Sequence, residues 1–171
     1  NVHHNNFYAQ ALRSYLVFLS GDQEEGLSLL RKVITDNPLS PELSAYLGAM
    51  YGHSGLLEDE IKQYETALRL TSHPPIWILS NLAVAQATTQ NQAALTTSQK
   101  VIDLDQANVR ARIAKICALV EKHELDSAKE VAQEILILEP TFTASSWSQK
   151  DCFTREEDYT YIRSLLEKSG L

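Results

Sequence analysis

The chain has 171 residues, 44% of them hydrophobic, and a formal net charge of -7, enough for one ordinary domain and too polar for a membrane protein. No run of about 18 apolar residues could span a bilayer, and Asn1-Val2-His3-His4 lacks the basic stretch and apolar core of a secretory signal. Residues 1–85 carry 5 Lys/Arg against 9 Asp/Glu and residues 86–171 carry 10 against 13, an even spread that argues against nucleic acid and against direct membrane binding, both of which call for concentrated positive charge.

Self-similarity frames the rest: Gly21-Asp22 and Pro38 align with later segments at a spacing of about 34 residues, the period of helix-turn-helix repeats. The first copy, 7–40, has Gly21 at its turn, Gly26 at a small contact position and Asn37-Pro38 at its exit, with Asp22 and Glu25 at capping-box spacing. In the second, 41–74, Ser40-Pro41 supplies an N-cap followed by proline at the first helical position. Leu47-Gly48, Tyr51, Gly55, Tyr64, Ala67 and Leu68 follow before Pro74-Pro75 interrupts any helix. Gly48 should let the first helix of the pair pack closely on the second, and Ala67 should face the next pair. The third copy, 75–108, has Leu82-Ala83, then Ala94, Val101, Ile102 and Leu104, with a turn expected to be one residue shorter and Gln106 where the exit proline would stand. The fourth, 109–140, carries Ala128, Ile135, Leu136, Leu138 and Glu139-Pro140, while its first helix, VRARIAKICALVEK, fits the pattern only loosely. In the tail, Thr154 and Glu157 repeat the capping-box spacing, Tyr159, Ile162, Leu165 and Leu166 recur at helical intervals, and Gly170 supplies a stop.

These residues resemble the tetratricopeptide repeat (TPR). The resemblance implies an all-α, right-handed α-solenoid of about four helix pairs plus a C-terminal capping helix, a single domain over 1–171 with 141–171 as the capping segment. It also implies that the first helix of each pair lines a concave groove. That groove would present Tyr8, Tyr15 and Phe18 from the first copy, Glu42, Ala49 and His53 from the second, Trp77, Ser80 and Val84 from the third, and Arg110, Ile113 and Cys117 from the fourth. Aromatic side chains of this kind anchor many interfaces. Chaperone-binding members clamp a peptide carboxylate with Lys and Asn; here the matching sites are Ala11 and Tyr15, with later ones near Trp77 and Asn81, a poor match for an acidic peptide. The tail is similar to the C-terminal repeat regions of some bacterial class III adenylate or guanylate cyclases and of certain winged-helix regulators, through Trp147, Phe153, Tyr159, Ile162, Leu165, Leu166, Gly170 and Leu171. It implies a catalytic or DNA-binding domain ahead of Asn1, and the absence of an opening Met reads as a processed or excised fragment.

Residues suited to catalysis are present but not assembled. His3, His4, His53, His73 and His123 are scattered, with no i, i+4 pair of the kind a helical zinc site needs. Glu58-Asp59-Glu60 and Glu156-Glu157-Asp158 fall at predicted helix starts, where negative charge offsets orphan N–H groups. Cys117 sits on an apolar stripe with no histidine at a readable spacing. Phosphate-loop, dinucleotide and nucleophile-elbow motifs are absent. The expectation is therefore no enzyme, no metal and no cofactor, but a protein-interaction or regulatory module that takes a protein or peptide segment in its groove. The alternatives are a self-assembling, homodimerising module and a periplasmic peptide sensor on a membrane-bound transcription regulator. Two cysteines, Cys117 and Cys152, with neither disulfide-framework nor metal-knuckle spacing favour a cytoplasmic setting, periplasmic if a membrane span is attached.

Overall fold

The computed structural model describes residues 7–150 and 155–171; the readings of His3, His4, Cys152, Phe153 and Thr154 lie outside them. Among the described residues there are ten helices and no strand: α1 (Phe7–Leu19), α2 (Gln23–Asp36), α3 (Pro41–His53), α4 (Leu57–Leu70), α5 (Ile76–Thr88), α6 (Ala93–Leu104), α7 (Val109–Glu121), α8 (Leu125–Leu138), α9 (Ala144–Lys150) and α10 (Glu156–Lys168).

Local chemistry accounts for the ends. The Ser40 hydroxyl accepts from the Leu43 N–H, with Pro41 in the first turn; Asp22 accepts from the Glu25 N–H at 3.2 Å; Asn108 caps α7 through the Ala111 N–H. Each satisfies a helix N–H that has no partner of its own. The turn inside every pair needs one residue in the left-handed region: Gly21 (φ 109°), Gly55 (73°), Gln90 (56°) and His123 (62°). The third turn, residues 89–92, is one residue longer than the second, 54–56, rather than shorter as its sequence suggests. At the far end the Leu171 N–H reaches the Leu166 carbonyl past Gly170 at φ 95°, the usual glycine-terminated helix stop.

Within pairs the helices approach closely because the contact residues are small. A Cβ on Gly26 would come within 2.6 Å of the Phe18 Cβ, and one on Gly48 would press on Gln63 and the Tyr64 ring at 3.2 Å. Between pairs, Ala67 is buried in a cluster with Ile78, Leu82 and Ala85 of α5, so it does face the next pair. The first helices also pack on one another, α1 on α3, α3 on α5 and α5 on α7, while no comparable packing joins α2 to α4, α4 to α6 or α6 to α8 among the described residues. That asymmetry curves the stack and puts the first helices on its inner side.

The largest core cluster unites α5, α7 and α8 with Phe142, Trp147, Ile162, Leu165 and Leu166 of the tail. Burying three side chains such as Ile162, Leu165 and Leu166 contributes roughly 1.5–3 kcal/mol each, so α10 is firmly part of the fold. Its location differs from that of a simple end cap. It packs on α7, touches α5 and lies against α9, so it covers the inner face of the last two pairs, while Ile137 on α8 stays 79% exposed.

Candidate functional site

The inner face is built from matching positions of α1, α3, α5 and α7. Tyr8, Glu42, Trp77 and Arg110 each stand second in their helix, and Tyr15, Ala49, Val84 and Cys117 ninth. Helical periodicity puts both positions on one face. Their surroundings divide the groove in two.

Over the first two pairs and the start of the third, the face is open and aromatic. Trp77 is 38% and Tyr8 49% exposed, while Tyr15, Glu42, Ala49 and His53 are half-buried. Ring contacts run across three helices: Phe18 to His53 at 6.3 Å, His53 to Tyr15 at 6.1 Å, Tyr15 to Tyr46 at 6.3 Å, Tyr46 to Trp77 at 6.1 Å and 24°. Trp77 then meets the edge of Tyr64 at 6.5 Å. The Tyr15 hydroxyl and His53 Nε2 are 2.9 Å apart, and the Asn81 amide donates to the Tyr64 hydroxyl at 3.3 Å. Burial, reinforced by Glu60, raises the Tyr64 phenol above its ordinary range, so it stays protonated and serves as a packed wall behind Trp77. Rings at these separations hold each other's orientation with about 0.5–1.5 kcal/mol per pair, leaving one face of the Trp77 indole ready for a contact that costs little ordering.

Over the last two pairs the face is closed. Val84, Ile113 and Cys117 are 4% or less exposed and share a cluster with Ile162, Leu165 and Leu166 of α10. Arg110 lies under Trp147 of α9, its guanidinium carbon 5.2 Å from the ring. Ser80 is turned into the structure, donating to the Asn108 side chain at 3.1 Å, and Phe18, in the first pair, is 3% exposed. For Phe18, Ser80, Val84, Ile113 and Cys117, then, the side chains pack rather than offer contact area. The reading of the groove from sequence missed Tyr46, the link between Tyr15 and Trp77. Its signal was available, since Tyr46 lies one turn after Glu42 on the same face of α3.

Burial pushes the Cys117 thiol well above its ordinary range, with Glu121 adding to the effect, so the thiolate nucleophile is suppressed. Among the described residues no group of three His, Cys, Asp or Glu side chains could hold a metal ion, and no helix is long and apolar enough to cross a membrane. Glu58, Asp59 and Glu60 lie in the first turn of α4, and Asp158 in that of α10 is held by the Arg155 guanidinium at 2.7 and 2.8 Å. On the outer side lies a cleft of about 710 Å3 between α6 and α8, where Lys115 donates to Gln99 at 2.8 Å and Glu134 accepts from the buried Arg112 at 2.9 Å.

No protein-family model matches the chain, and no curated protein sequence does. Solved structures do resemble it. MamA from Desulfovibrio magneticus RS-1 is 18% identical, with 96% of each chain covered and a TM-score of 0.73. Another MamA structure is 22% identical over 91% of this chain and 93% of that one, at 0.71. YrrB, a TPR protein with an unusual peptide-binding site, is 16% identical over 91% of this chain and 80% of that one, at 0.68. At these identities the likeness concerns the fold: an all-helical solenoid of the TPR kind.

Proposed function

We propose that this chain is a non-catalytic interaction module that holds a segment of another protein against the open, aromatic part of its inner face. The observation that carries the reading is Trp77, half in solvent yet fixed by Tyr46 and Tyr64, a pre-oriented anchor of the sort that dominates interfaces. The peptide-binding site of YrrB, on the same fold, supports a peptide as ligand.

The test begins with a pull-down using residues 1–171 as bait. With a partner in hand, Trp77→Ala should weaken binding by about 2 kcal/mol or more with unchanged helical circular dichroism. Lys129→Ala, on the outer helix α8 and loosely paired with Asp126 at 3.8 Å, should cost no more than about 1 kcal/mol. Normal binding by Trp77→Ala would move the site elsewhere.

A second reading, self-association, is favoured by α1. Leu12, Leu16 and Leu19 are 55–58% exposed, and they match Tyr46, Met50 and His53 of α3; in α3 that face includes Met50, wholly buried in the core shared with the first pair. Leu16→Glu should then abolish any dimer seen by sedimentation. The tail's resemblance to cyclase-attached and winged-helix-attached repeat regions supports a finer version, in which the module regulates a catalytic or DNA-binding domain of the same polypeptide in the cytoplasm. The coding sequence upstream of Asn1 tests it.

A further inference from the structure

The leucine stripe of α1 is a repeat interface with one side open. Leu12, Leu16 and Leu19 stand at the helix positions that Tyr46, Met50 and His53 hold in α3, and in α3 those positions face the preceding pair. Tyr46 meets the Tyr15 ring, His53 meets Tyr15 and Phe18, and Met50 is wholly buried in a cluster with Phe18, Leu30 and Val33. The three leucines of α1 are more than half exposed instead. Spaced four and three residues apart, they form one continuous seam along the helix, and in a repeat architecture such a seam is closed by another helix.

Two features of the chain select that helix. The first is the state of the opposite end. A head-to-tail stack of copies would lay the last pair of one copy on α1 of the next, with Ile113, Val120, Ala132 and Ile135 in the places of Ala11, Phe18, Leu30 and Val33. Those four side chains are 5% or less exposed and are clustered with Phe142, Trp147 and Ile162 of the tail, so the last pair has no counterpart surface to offer. The second is that the seam matches itself. With two copies of α1 antiparallel about Leu16, each Leu16 meets its own equivalent and Leu12 falls beside Leu19 of the other copy. Arg13 is the one charged residue of α1, so two chains with a net charge of -7 each meet there with no carboxylate on either contacting helix.

We propose that α1 is a two-fold interface: a second copy of this chain lays its own α1 antiparallel across the seam of Leu12, Leu16 and Leu19, and the tail, by covering the far end of the stack, stops association at two copies. This rests on the self-association reading above and fixes its symmetry and its limit. The contact is isologous, the same patch used by both copies. A single helix about 20 Å long gives an interface at the small end of the specific class, about 1,200 Å2 or less, so the dimer is weak and concentration-dependent.

Sedimentation of the full chain over about 5–500 μM, a range in which mass action takes a weak dimer from mostly apart to mostly paired, should show a monomer–dimer equilibrium and nothing larger. Leu16→Glu sets two carboxylates face to face and should raise the dissociation constant by roughly tenfold or more, with unchanged helical circular dichroism because Leu16 is exposed in the single chain. The symmetry is read separately. Leu16→Cys in a Cys152→Ser background leaves one reactive thiol, since Cys117 is wholly buried, and a short bis-maleimide should join two such chains into a covalent dimer. A single cysteine cross-links in this way only where the residue meets its own equivalent. A chain that stays monomeric throughout overturns the inference and the self-association reading together. Species larger than a dimer, a Leu16→Glu chain that pairs as well as the unsubstituted one, or association with no cross-link through position 16 overturns the two-fold inference alone. Binding at Trp77 is untouched by any of these results.

Discussion

The first two helix pairs and the last two expose the same helix positions to the inner face and place different chemistry there. Tyr15 and Tyr46 line the earlier half, and Val84, Ile113, Ala114 and Cys117 the later one. Large rings project, contact one another and leave a ridged surface open to solvent. Small aliphatic side chains leave a trough, and a helix lies in it. The difference teaches that a repeat can keep its architecture while the residues at a few groove positions decide whether that stretch of groove is available or filled.

The largest expected effect comes from exchanging what each half does. Ile113→Ala, under α10 and 0% exposed, should destabilise the chain by about 2–5 kcal/mol in urea unfolding, whereas Trp77→Ala, in the open half, should cost less, with about 1–3 kcal/mol coming from its two ring contacts. Equal losses would erase the distinction. Within the open half, Tyr15→Phe removes the bond to His53 and should cost about 0.5–1.5 kcal/mol by thermal unfolding, with binding at Trp77 loosened rather than lost; no change would mean that the aromatic ladder stands without that bond. The smallest effect concerns the turns. The early pairs use glycine where the backbone enters the left-handed region, while the later ones put Gln90 and His123 there at φ 56° and 62°. His123→Gly should therefore stabilise by a few tenths to about 1 kcal/mol, and a loss instead would mean that the exposed imidazole makes contacts that outweigh its backbone strain.

Much of the fold is legible in local signals. Ser40-Pro41, Asp22 and Gly170 mark helix ends through bonds to neighbours in sequence, so reading them needs no knowledge of tertiary structure. Gly48 and Ala67 are legible because their period betrays the packing. The tail is legible as a helix, since Ile162, Leu165 and Leu166 lie on one stripe, but a stripe says only that a helix has an apolar side, not which surface receives it. The clue to its destination was on the receiving side: Ala83, Val84, Ala87, Ala114 and Cys117 are all small or short, which leaves room for another helix. The open site was half legible, with Trp77 recognised and Tyr46 missed, because the aromatic ladder depends on register between helices.

The position of Arg155 carries a consequence for how the chain comes apart. Its side chain lies where a Cβ on Gly55 would be, within 2.8 Å, while Tyr161, two turns along, lies beside Gln90 and Glu121. One helix thus spans the turns of the second, third and fourth pairs. In a plain solenoid each unit senses only its neighbours and unravelling can start from either end. Here the later pairs are laced together and the first is not, so amide exchange should be fastest in α1 and α2 and should show α3 to α8 opening as one cooperative block.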